Sequence, residues 1–159
     1  MEYSESYQLT RDIDWFFRTG ERCIHVASNG GILPYFVNDI VRLRTEQATV
    51  ALLENVKDMD VVVNEGYVSQ RVAASYDFYA RNGYDMVSLQ ELRSAYLSSF
   101  IAMALKGFYS YDRIPQSNAY MLICSPSKPI TVGIQLLEAD PEILFVEDDK
   151  SVFLVETLL

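Results

Sequence analysis

Imidazole and thiol chemistry have little to draw on in this chain: one histidine, His25, and two cysteines, Cys23 and Cys124, occur among 159 residues. The cysteines lie far apart, without CxxC spacing and without a histidine near Cys124, so neither a disulfide framework nor a zinc site is expected. No GxGxxG or GxxxxGK[ST] is present, and no nucleotide or other cofactor is implied. No stretch approaches the roughly 20 apolar residues of a spanning helix; the longest candidate, Ala95 to Leu105, contains two serines and ends at Lys106. Residues 1–14 show no basic n-region followed by an apolar h-region, so no signal peptide is expected and the protein is placed in the cytoplasm.

A basic surface is also lacking. The formal net charge is −9, which argues against nucleic acid and against anionic membrane, because both are bound through lysine and arginine. The charge is uneven. Residues 138–159 hold seven acids, among them Glu147, Asp148 and Asp149, against Lys150 alone, so this segment carries −6 of the total. An acidic run of this kind keeps a protein soluble or docks a basic partner.

What is present suits a globular domain. Hydrophobic residues make up 50% and charged residues 22%, and there is no repeat, low-complexity tract or Pro/Gly/Ser linker, so 1–159 reads as one domain. Ile13 to Arg18 and Arg22 to Ala27 read as a β-hairpin whose turn centres on Thr19-Gly20. That register opposes Trp15 to Ile24 and Ile13 to Val26 on an apolar face, and Asp14 to His25 and Phe16 to Cys23 on the other.

Three helices are expected next. The first runs from about Pro34 to Leu53, with Arg42 and Glu46 as an exposed i,i+4 pair. The second follows the stripe Val68, Val72, Tyr76, Tyr79, with Ser69 able to cap it and Asn82-Gly83 to stop it. Ser88-Leu89-Gln90-Glu91 is a capping box that opens the third, which is apolar nearly all round and is expected in the middle of the fold. Val61 to Val63 fits a strand or a helix entry. Beyond Pro115 a period of two marks Ala119 to Cys124, Ile130 to Leu137, Ile143 to Val146 and Ser151 to Thr157 as strands of a C-terminal antiparallel meander. The fold class is therefore α+β, with one mostly antiparallel sheet and helices packed on one face.

Three places carry candidate chemistry. His25, held by Asp14, is the one available imidazole base, with Cys23 or Ser28 as nucleophile, an arrangement that would make a small hydrolase. Asn29, Gly30 and Gly31 form a turn between strand and helix where backbone amides could bind an anion. Aromatic residues crowd the second and third helices, and Phe78 falls off the buried stripe, which makes it, with Tyr84, a candidate contact for another protein or a second copy. The leading reading is a noncatalytic binding or regulatory module acting through the aromatic surface, the acidic end with a basic partner, or a homodimer interface; the hydrolase is the alternative.

Overall fold

Gly20 sets the geometry of the first hairpin. The computed structural model describes residues 1–85 and 87–139, with 152–154 described in backbone alone. A short helix α1 (Glu5–Leu9) precedes β1 (Asp14–Thr19), and Gly20, at φ +56°, and Glu21 form the tight turn into β2 (Arg22–Ala27). Thr19 pairs with Arg22, so Trp15 opposes Val26, Phe17 opposes Ile24 and Phe16 opposes His25. These pairs sit two residues from the expected register because the turn centres on Gly20-Glu21. A slip of two leaves every side chain on its face, so Trp15, Phe17, Ile24 and Val26 still share the apolar side.

Downstream of the hairpin, the start of α2 departs from expectation. Pro34 opens a turn in which Val37 and Asn38 donate to its carbonyl, and α2 (Ile40–Ala51) begins six residues later, capped by Asp39 through the N–H groups of Val41 and Arg42. Glu46 on this helix is buried and sits 3.9 Å from the Arg42 guanidinium, so the pair expected on the surface is partly inside. Val61 to Val63 is a strand, β3 (Val61–Val63), and ends in Asn64, whose side chain caps α3 (Glu65–Arg81) in place of Ser69. The Ser88 capping box opens α4 (Leu89–Leu105) as read. That helix buries one side, Leu97, Phe100 and Ala104, against α3 and one sheet face, and leaves Leu89 and Ala95 outside.

β4 (Phe108–Arg113) returns beside β2 in parallel, and β5 (Ala119–Pro126) runs antiparallel to it. Among the described residues the sheet has the order β1-β2-β4-β5-β3, and β6 (Val152–Leu154) pairs with the first half of β5. It is mixed and mostly antiparallel, and the class is α+β. Trp15, Phe17, Tyr111 and Tyr120 fill one face under Leu33, Val37 and Leu43, while α3 and α4 cover Ala27, Ile123 and Cys124 on the other.

Residues 130–137 do not form the expected strand. They run along the outer edge of β1, where Leu137 accepts from Arg18 N–H, Ala139 donates to Arg18, and the Arg18 guanidinium takes the carbonyls of Val132 and Ile134 at 2.7 and 3.0 Å. Their alternation is still satisfied, because Val132 and Leu136 are buried against Phe16, Cys23, Val50 and Phe108. A side chain replaces the ladder. The expected strand at 143–146 lies outside the described residues.

Candidate functional site

His25 lies at the centre of a buried polar row. On one side its Nε2 is 3.0 Å from Asp14 Oδ1, and on the other its Nδ1 is 2.5 Å from Ser110 Oγ. A carboxylate accepts only, so in the neutral imidazole Nε2–H donates to Asp14 and Nδ1 accepts from the Ser110 hydroxyl. The Asp14 contact was legible in sequence, although it joins diagonal rather than opposite residues: Asp14 opposes Ala27. Ser110 was not, because β4 brings it beside His25 by parallel pairing across 85 residues.

The row has the members of a serine triad without its access. His25 and Ser110 are fully buried, Phe16 and Phe100 pack against the imidazole, and only Asp14 reaches water. The clefts along α2, at the hairpin turn and along α3 are all lined by other residues. Cys23 is buried in a different cluster, and burial pushes its thiol above the ordinary range. Ser28 Oγ accepts from Ile13 N–H at 2.7 Å, which closes the hairpin and commits that hydroxyl.

The Asn29-Gly30-Gly31 turn is likewise committed. Asn29 and Gly30 take positive φ, at 44° and 67°, and the three amides donate in turn to Asp12 Oδ1, Arg11 O and Ser28 O. The next long helix starts only at Ile40, so no helix dipole adds to this loop. Gly31 has another role: the Arg113 side chain crosses the space a Cβ would fill, and that Cβ would lie 2.9 Å from Ser28 O. Gly31→Ala is expected to cost about 1 to 3 kcal/mol, since neither a backbone carbonyl nor a packed arginine yields cheaply, and a urea unfolding midpoint measures it.

Phe78, Tyr79 and Tyr84 form a second assembly, at the C-terminal end of α3. Their centroids lie 5.8 to 6.2 Å apart, with Phe78 and Tyr84 stacked and Tyr79 edge-on to both. Phe78 is 57% exposed, Tyr84 56% and Tyr79 36%, and Val87 and Leu89 beyond the turn are exposed as well. Tyr79, placed on the buried stripe by its spacing, shares this surface: Gly83, at φ +67°, turns the chain so that Tyr84 packs edge-on against it. Glu147, Asp148 and Asp149 lie outside the described residues.

A third group went unread in the sequence. Asp112 on β4 is buried and accepts from the Tyr96 hydroxyl of α4 at 2.7 Å. Burial raises its carboxyl to about 6, with the Tyr96 bond and the Arg71 charge pulling the other way. The same burial, reinforced by Asp112, pushes Tyr96 far above the ordinary phenol range. Tyr67 Oη and Arg71 Nε are buried in the same region without hydrogen-bond partners. The alternation of polar and aromatic residues from Phe108 to Asp112 conceals this, because Ser110 and Asp112 both face inward to a partner.

Among the described residues no group of three or more His, Cys, Asp or Glu is arranged to hold a metal ion, and no helix is long and apolar enough to cross a membrane. Comparison with protein-family models, with curated proteins and with solved structures gave no match.

Proposed function

We propose that this protein is a noncatalytic binding module and that Phe78, Tyr79 and Tyr84 are the centre of its binding surface. The observation that carries the reading is the packing of three large rings on one another in solvent, where burial against a partner would recover the cost of their exposure. Such rings are the anchors that dominate protein interfaces, because they bring area with few rotatable bonds. Two further observations support a noncatalytic role. The one imidazole is sealed beneath Phe16 and Phe100, and its serine neighbour is equally buried. The partner is a protein, either a second copy of this chain or, given the −9 charge, a basic one.

Replacing Phe78 by the photo-crosslinker p-benzoylphenylalanine tests this. Irradiation in cells is expected to give a discrete adduct, at twice the chain's mass if the partner is a second copy. Tyr84→Ser is expected to reduce that adduct at least fivefold. Adducts that are diffuse, or that survive Tyr84→Ser unchanged, overturn the reading.

A further inference from the structure

α2 and residues 133–137 face each other across a cleft of about 630 Å³, a size that suits a small molecule. Glu46 lines it. That residue is only 6% exposed, and its Oε2 has no hydrogen-bond partner among the described residues. Arg42 does not make up the loss. Its Nη2 donates to the carbonyls of Phe36 and Val37 at 2.7 and 2.8 Å, and with the guanidinium held there Nε stops 3.9 Å from Glu46 Oε1, beyond hydrogen-bond reach. A carboxylate oxygen taken out of water without a donor is costly, and its place beside a cleft is accounted for by a donor that enters from outside. We propose that this cleft is a second binding site, separate from the aromatic surface, and that it takes a small primary alkylammonium whose N–H groups Glu46 accepts.

The polar rim of the cleft offers acceptors. Thr45 and Thr49 donate their hydroxyl hydrogens to Val41 O and Thr45 O, each at 2.8 Å, so what these side chains have left for a ligand is oxygen lone pairs, beside the Glu46 carboxyl. A group that only donates fits such a rim. An ammonium fits better than a guanidinium, because Oε1 already faces Arg42 and a single oxygen is left, whereas a guanidinium binds best to two. A metal ion does not fit, since one carboxylate is too few ligands and no group of three is arranged among the described residues. The charges agree with a cation: Asp39 also acts on Glu46, so two carboxylates stand against the one guanidinium of Arg42, in a chain of net charge −9. Ile134, Leu136 and Leu137 supply aliphatic wall for a carbon chain. Glu46 meets the ligand by turning its carboxyl about the last side-chain torsion, which is soft.

Titration of the isotope-labelled full chain with n-butylammonium chloride, followed by amide NMR, tests this, with n-butanol as the uncharged counterpart and sodium chloride to match ionic strength. Saturable shifts are expected at the amides of Thr45, Thr49 and residues 133–137. n-Butanol is expected to bind about tenfold more weakly, or worse, since it brings no charge to Glu46. Glu46→Gln keeps the shape of the side chain and leaves no charge to bury, so the fold is retained while affinity for n-butylammonium is expected to fall about tenfold or more. Gly133→Leu guards against a folding defect in that variant: open space lies where its Cβ would stand, and the added side chain narrows the cleft, so a comparable loss is expected with Glu46 intact. No saturable shift, or an affinity left unchanged by Glu46→Gln, overturns the site; should that variant not fold, unchanged affinity in Gly133→Leu overturns it equally. Tighter binding of Nα-acetyl-lysine methylamide than of n-butylammonium overturns the small-molecule source and assigns the ammonium to a protein lysine.

Discussion

His25→Ala is expected to destabilise the protein by about 2 to 4 kcal/mol. Two effects combine. Removing the imidazole empties the space between Phe16 and Phe100, where α4 closes over the hairpin, and a partly relaxed cavity of that size costs on the order of 2 kcal/mol. It also leaves Ser110 Oγ, fully buried, without its acceptor, which adds about 1 to 2 kcal/mol. The second part is separable: in His25→Ala/Ser110→Ala the orphaned hydroxyl is gone, so the double variant is expected to be more stable than the sum of the single costs implies. Chemical denaturation of the four proteins of the cycle measures it. If Asp14, His25 and Ser110 were instead a catalytic relay, Ser110→Ala would leave stability nearly unchanged while abolishing an activity, and a coupling near zero would favour that alternative over the structural role described here.

The same residues show what a single chain of letters discloses. Period-two patterning put Asp14 and His25 on one face, and that survived a wrong turn centre, because an error of two residues in an antiparallel register preserves every face. The Ser88 capping box was legible for a related reason: all its partners lie within one turn of helix. What stayed hidden was non-local. β4 buries two polar residues, Ser110 and Asp112, beside Phe108 and Tyr111, and each becomes tolerable only through a partner supplied by β2 or α4. The stretch 130–137 has the alternation of a strand, yet its backbone partners are taken by the Arg18 side chain, which no local pattern records. Phe78 was readable as a surface ring from its helical phase, while Tyr79 was not, since its exposure depends on where the chain turns after Gly83.

Native stability is expected to fall as pH rises from about 4 to about 6, and Asp112 is the main cause. Its carboxyl titrates near 3.8 in an unfolded chain and near 6 in the folded one, so between those values the native state binds the extra proton. Stability then declines with pH in that window: the contribution is fully present below the unfolded value and is lost as pH passes the folded one. At about 1.4 kcal/mol per unit, roughly two units correspond to about 3 kcal/mol. Glu46, also raised by burial, acts in the same direction, whereas Asp39 and Glu91, lowered by the backbone amides they cap, oppose it at the acid end. Asp112→Asn isolates the residue from these. The amide still accepts from Tyr96 but carries no charge to bury, so the variant is expected to exceed the parent by about 1 to 3 kcal/mol at pH 7.5, part of the gain being offset by the loss of an acceptor for the Arg113 amide. At pH 4 the advantage is expected to disappear. Thermal unfolding of both proteins across this range decides the matter, and a variant less stable than the parent at pH 7.5 would mean that the ionised carboxylate, with Arg71, stabilises the fold.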